Sequence, residues 1–331
     1  MNINPQSARR KSFADVEAEA AKLDPKNCVV TFDHVLKRFG KHTAVESVNF
    51  SVYDRPDKGE FICVLGPSGC GKSTVLNMIA GFYGPTEGAV LMFGQPVGPP
   101  DADRGFVFQS YGSFPHLRVW ENIAFGLLLK EMNRRGKDPA TWTLDKLIGV
   151  RGARRRRIRE EAMEWVRAVG LLSSEQKYPH QLSGGMRQRV ALARTLAVKP
   201  KIILMDEPFG ALDRVTRWEM QDLLIKLWRE KEPTVFLVTH DIPEAVFLGD
   251  RIYIFSPAPG TIVEEVDIPT PDMPAAEMQR TTEFSELVNE ISRKVELVLG
   301  GTGDGQKAGA AVVRPSAAKG RDPYLGTDEV Q

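Results

Sequence analysis

Apolar residues in this chain gather in two ways. The runs "EFICVLG", "RGFVFQ", "KIILMDEP" and "TVFLVTH" are short, continuous and bounded by polar or turn residues, which predicts strands buried on both faces. Elsewhere the apolar positions recur at helical spacing. Ile158, Ala162, Trp165, Val166 and Val169 share one face that Gly170 ends, and Phe284, Leu287, Val288, Ile291, Val295 and Val298 form a second stripe. The segment "RIYIFSPAPGTIVEEVDI" predicts two strands about a Pro/Gly turn. Strands alternating with helices from Cys28 to about Gly300 predict an α/β body with a largely parallel sheet covered by helices.

Three regions depart from this pattern. Residues 1–27 form an N-terminal extension in which Phe13, Val16, Ala20 and Leu23 fall at roughly helical spacing, predicting a short amphipathic helix. Residues 130–157 mix Pro, Gly and an arginine run, as in an insertion or the entry to a helical subdomain. Residues 301–331 lack periodicity and are expected to be disordered. Each motif described below occurs once, and no internal repeat is present.

Composition narrows the classes. The 331 residues can bury a sizeable core, and a net charge of +1 denies the broad basic field of a nucleic-acid binder. No apolar stretch reaches the roughly 18 residues of a membrane helix, and the first residues lack the apolar core of a secretory signal. Cytosolic residence is the expectation. The cysteines Cys28, Cys63 and Cys70 are too scattered for a disulfide framework or a zinc site and read as reduced thiols.

The chemistry concentrates in "GPSGCGKST", placed between a predicted strand and a predicted helix. Gly66, Gly71, Lys72 and Ser73 match G-x-x-x-x-G-K-[ST], with Pro67, Ser68, Gly69, Cys70 and Thr74 completing the loop. Glycines let consecutive backbone N–H groups turn inward, and the helix N-terminus adds partial positive charge, so the loop cradles phosphate. Lys72 adds a full charge, Ser73 is a Mg²⁺ ligand, and Thr74 starts the helix. Cys70 reads as loop filler, with an exposed thiol of lowered pKa as the alternative.

In "KIILMDEP", Asp206 and Glu207 fall at the carboxyl end of a buried strand, the edge where open α/β sheets gather ligands. Asp206 suits Mg²⁺, and Glu207 suits deprotonation of an attacking water. Ser183, Gly184 and Gly185 precede another helix and make a second candidate anion-binding start, while Gln109 and His240 end two further strands. Together these describe a P-loop NTPase.

The ordered set Phe39, "GPSGCGKST", Gln109, "LSGGMRQR", "IILMDEP", "ALD" and His240 resembles the ATP-binding cassette (ABC) ATPases over about residues 28–300. The resemblance implies an ABC-type core with an antiparallel β subdomain and an α-helical signature subdomain at about 110–195. It implies ATP and Mg²⁺ as cofactors, a catalytic set of Glu207, His240, Gln109 and Lys72, and Mg²⁺ ligands Ser73, Gln109 and Asp206. Phe39 would stack on adenine, the alternative being core packing. Ser183, Gly184, Gly185 and Asp213 would act on the nucleotide of a second copy in a head-to-tail dimer.

Soluble translation factors of the family carry two cassettes and chromosome proteins split theirs with a long coiled coil, so the single intact cassette favours a transport motor. "FGQPVGPPDADRGFVFQ", "LSGGMRQR" and "SPAPGTIVEEVDIPTP" resemble the nitrate/sulfonate/taurine-type importers. The implied partners are membrane permease subunits and an extracytoplasmic solute-binding protein, with the chain peripheral on the cytoplasmic side of the inner membrane. Another ABC system, or a soluble ABC ATPase, is the alternative. Phe114, Pro115 and Leu117 would floor a permease groove or pack internally, and Arg154 to Arg157 would meet anionic lipid or form a solvated face.

Overall fold

The computed structural model describes residues 28–53, 59–109, 112–133, 153–229, 232–268 and 273–300. The expected N-terminal helix, residues 134–152 of the arginine-rich stretch and the expected disordered tail lie outside them.

The continuous apolar runs become the strands of one sheet, in the order β10-β9-β3-β8-β7-β6. Its members are β3 (Phe61–Leu65), β6 (Arg104–Val107), β7 (Ile202–Asp206), β8 (Thr234–Thr239), β9 (Arg251–Phe255) and β10 (Ile262–Asp267). All neighbouring pairs are parallel except β10 against β9. Side-chain alternation sorts each run between two cores: Phe61, Cys63 and Leu65 of β3 enter one, and Ile62 and Val64 the other. Strands β7, β8 and β9 divide in the same way. Burying a large apolar side chain contributes about 1.5–3 kcal/mol, so a strand apolar on both faces has no favourable place but the middle of the molecule.

The first core lies under α2 (Val119–Asn133), α3 (Ala153–Ala168), α4 (Gly184–Ala197), α5 (Arg214–Trp228) and α6 (Ile242–Leu248). The predicted stripe at Ile158, Ala162, Val166 and Val169 is buried there, with Trp165 at its margin. Gly170, at φ +71°, stops α3, its N–H bonding the Arg167 carbonyl at 3.0 Å. After the short α7 (Ala275–Met278), α8 (Thr282–Gly300) buries Phe284 and Ile291 and packs Leu287, Val288, Val295 and Val298 against the same core.

The second core includes α1 (Lys72–Ala80) and a four-stranded antiparallel sheet ordered β2-β1-β4-β5. Its strands are β1 (Cys28–Phe39), β2 (His42–Tyr53), β4 (Glu87–Met92) and β5 (Gln95–Pro96). Register shifts interrupt β1 against β2, and His34 and Ser47 stand at φ +48° and +51°. Such irregularities re-aim side chains and break the period of two, which is why these strands carry little pattern in the sequence. A two-residue turn at Gly40 and Lys41 sets Phe39 opposite His42 at the tip of the β1–β2 hairpin.

Candidate nucleotide site

Four parallel strands end at one edge, and the phosphate loop, the acid pair, Gln109 and His240 sit at or just beyond it. β3 leads into the Gly-rich loop, β6 into Gln109, β7 into Asp206 and Glu207, and β8 into His240. Gly71, at φ +93°, caps α1; a Cβ there would stand 2.4 Å from Val45 Cγ1 and 2.6 Å from the Ala44 carbonyl oxygen. Only glycine satisfies both the left-handed backbone and the close approach of β2. Lys72 is 5% exposed and its Nζ donates to the carbonyls of Gly66 and Pro67, each at 2.8 Å. The ammonium therefore lies folded across the mouth of the loop. Cys70 discards the alternative of an exposed thiol of lowered pKa: its side chain packs in the second core at 1% exposure, and burial pushes the thiol up despite the opposing Lys72 charge.

The Ser73 hydroxyl donates to Asp206 Oδ1 at 3.0 Å, joining the loop to the end of β7. Burial raises the Asp206 carboxyl above its usual range; the Ser73 bond and the Lys72 charge oppose this, and neighbouring Glu207 adds to it. A hydroxyl beside a partly desolvated carboxylate is the oxygen donor set that a hard divalent cation takes, so these residues fit Mg²⁺. Among the described residues no group of three or more His, Cys, Asp or Glu side chains gathers anywhere to form a separate cage.

Glu207 takes the left-handed backbone, φ +44°, and its N–H bonds the Val238 carbonyl on β8 at 3.0 Å. Both carboxylate oxygens are held from the flanks. Gln109 Nε2 donates to Oε2 at 3.3 Å, and His240 Nδ1 lies 3.2 Å from Oε1. Three strand ends thus converge on one carboxylate whose backbone strain, worth about 1–3 kcal/mol, is sustained by its neighbours.

Phe39 is 46% exposed, which removes the core-packing alternative. Tyr83 meets it edge-on with centroids 5.3 Å apart, and Lys37 Nζ stands 5.2 Å from the ring centre. Ser183 caps α4, its hydroxyl accepting from Met186 N at 3.3 Å, at the helix start the sequence predicts there. Gly184 opens that helix, and Gly185 packs so closely on α5 that a Cβ would come within 2.6 Å of Thr216 Cγ2. Asp213 caps α5 and accepts from Thr216 N at 3.1 Å; the Thr216 amide and hydroxyl hold its carboxyl below the usual range. Among the described residues, neither Ser183 nor Asp213 bonds to residues 66–74 of its own chain.

Leu117 is 4% exposed and packs inside, the second of its two readings; Phe114 is half-buried and Pro115 exposed. Arg156 and Arg157 are exposed on α3. Gly260 went unnoticed in the sequence. It lies against the phosphate loop, where a Cβ would stand 1.8 Å from the Cys70 carbonyl oxygen, and exchanges backbone bonds with Ala44 and Glu46. The Pro/Gly turn was visible in "SPAPGTI", but its target was not.

Fold and site together define a P-loop ATPase in which a parallel core carries the phosphate loop, an antiparallel sheet and a helical layer flank it, and α4 opens on Ser183. The ABC transporter family profile matches residues 45–210. The chain is 40% identical over 260 residues to the nitrate import ATP-binding protein NrtD of Synechocystis, covering 76% of this chain and 88% of that protein. It is 42% identical over 254 residues to the taurine import ATP-binding protein TauB of Roseobacter denitrificans, covering 74% and 87%. Against the aliphatic sulfonates import ATP-binding protein SsuB of Bacillus cereus it is 40% identical over 272 residues, covering 80% and 94%. A dimeric ATP-binding cassette in a post-hydrolysis state with ADP and Pi superposes at TM-score 0.57 and 33% identity, covering 73% of this chain and 100% of that one. cbiO1 of Clostridium perfringens, at TM-score 0.59 and 21% identity over 82% of this chain and 98% of that one, shares the fold. The chain belongs to the ABC transporter family and is an ABC-type ATPase. No helix among the described residues is long and apolar enough to cross a membrane.

Proposed function

We propose that this chain is the ATP-hydrolysing motor of an importer for small oxyanionic solutes of the nitrate, taurine or alkanesulfonate kind. Two copies would sandwich ATP, residues 28–300 of each forming the cassette and residues 110–195 its helical subdomain. Separate permease subunits carry the solute, a solute-binding protein delivers it, and the motor sits at the inner face of the membrane. Relatives named for nitrate, taurine and sulfonate import support the solute class. The carrying observation is the convergence of Lys72, the Ser73–Asp206 pair and the doubly held Glu207 at one sheet edge.

In this reading the loop amides of Gly66 to Thr74 and Lys72 bind the β- and γ-phosphates, Lys72 exchanging its two carbonyl partners for phosphate oxygens. Ser73, Asp206 and Gln109 would hold Mg²⁺, which when bound would neutralise phosphate charge. Glu207 takes the proton of the attacking water, Gln109 and His240 orient its carboxylate, and His240 presents its exposed ring to the γ-phosphate. Phe39 offers a ring face to adenine. Ser183, Gly184, Gly185 and Asp213, which bond nothing in their own phosphate loop, close over the nucleotide of the second copy.

The test is Glu207→Gln. It removes the proton acceptor and keeps the shape, so ATP binding should persist, turnover should fall on the order of a hundredfold or more, and a closed dimer should accumulate by size-exclusion chromatography with ATP. Turnover at the wild-type rate would refute the assignment.

A further inference from the structure

Gln109 lies on a segment gripped on both sides by consecutive residues of a single helix. Before it, the Thr195 hydroxyl donates to the Phe106 carbonyl at 3.3 Å, and a Cβ on Gly105 would come 2.4 Å from Thr195 Cγ2. After it, Arg194 Nη1 donates to the Gly112 carbonyl at 2.6 Å while the guanidinium lies 5.3 Å from the centre of the Phe114 ring. Both residues belong to the last turn of α4, whose first residue is capped by Ser183. Eleven residues at about 1.5 Å each make α4 a rod of roughly 16 Å between Ser183 and Arg194.

Arg194 is an expensive anchor. Burial lowers its pKa, and among the described residues no carboxylate pairs with it; its charge is satisfied by a carbonyl and an aromatic face. An apolar side chain would fill the place with less desolvation cost but would give no directional hold on the backbone that follows Gln109. Gly112 stands at φ +54°, where a Cβ would lie only 3.3 Å from Arg194 Nη2, so the guanidinium and Gly112 fit closely.

We propose that Arg194 and Thr195 are positioning residues that relay engagement of Ser183 by the second copy's nucleotide to Gln109 and Glu207 of their own site. A displacement of α4 along or about its axis moves both anchors at once, and Gln109, strung between them, carries the shift to the Glu207 carboxylate 3.3 Å away. One helix thus joins the half-site a copy lends to its neighbour with the half-site it keeps, so occupation of either site alters the other. This rests on the proposed roles of Ser183 and Gln109.

The experiment uses the purified full chain with Thr195→Val, Arg194→Met, Arg194→Lys and, as control, Ser183→Arg. Thr195→Val is nearly isosteric, so it stays informative if Arg194→Met fails to fold. Expected for Thr195→Val and Arg194→Met are unchanged ATP affinity in the monomer by equilibrium binding, kcat lowered on the order of tenfold, and ATPase cooperativity reduced toward independent sites. Arg194→Lys, which keeps a donor and the charge, should recover part of both losses. Wild-type kcat and cooperativity in both anchor variants beside an inactive Ser183→Arg would overturn the relay alone. An active Ser183→Arg enzyme would sink the two-copy reading and the relay with it.

Discussion

Glu244 is a carboxyl group in the wrong solvent. It is 3% exposed at the start of α6, and Gln221 Nε2 donates to its Oε1 at 3.4 Å. Burial pushes its pKa up from an ordinary 4.5 to about 7; bonds from Thr239 and Gln221 and the Arg217 charge oppose this, and Asp241 adds to it. The folded state therefore holds this proton more tightly than the unfolded chain, and ionisation favours unfolding. Stability linked to the group is fully present below pH 4.5, falls as pH rises toward 7, and is level above. At about 1.36 kcal/mol per pKa unit, the shift is worth about 3 kcal/mol.

Glu244→Gln keeps the shape of the protonated acid and cannot ionise. Urea unfolding of both proteins from pH 5 to pH 8 isolates the effect, since all other groups titrate alike in the two. The variant should gain about 2–3 kcal/mol on the wild type over that range, most of it below pH 7. A wild-type-minus-variant difference that stays constant with pH would refute the reasoning, because the carboxyl would then be ionised or solvated alike in both states.

Lys72→Ala should weaken ATP binding by more than tenfold, read by equilibrium binding, because the loop amides alone must then balance the terminal phosphates. Gly260→Ala should also weaken ATP binding although it lies far along the chain, since its methyl must displace the Cys70 carbonyl and with it the phosphate loop. Thiol titration of the native protein should find Cys28, Cys63 and Cys70 slow, at 6%, 0% and 1% exposure, and all three fast in denaturant.

Some of this was legible in the residues. The runs at Phe61–Leu65, Ile202–Asp206 and Thr234–Thr239 announced themselves because both faces are buried, leaving no polar position inside the run. Ser183 could be read as a cap because capping is local: a hydroxyl and an amide three residues on. The hairpin of β1 and β2 was hidden because its bulges destroy the alternation that marks a strand. Leu117 stays open between groove floor and internal packing, and Cys70 between loop filler and exposed thiol, for one reason: a loop's sequence does not say which side chains turn inward.

By itself, then, the order of residues determined the elements, the phosphate loop and the acid pair, since these depend on backbone preference, periodicity and neighbours within a few positions. The tertiary structure alone decided that Gln109 and His240 grip one carboxylate, that Gly260 backs a loop nearly 200 residues earlier, and that Arg194 holds the Gly112 carbonyl three residues after Gln109. Those contacts join distant segments across a few ångströms, and such distances exist only once two cores have packed the strands side by side.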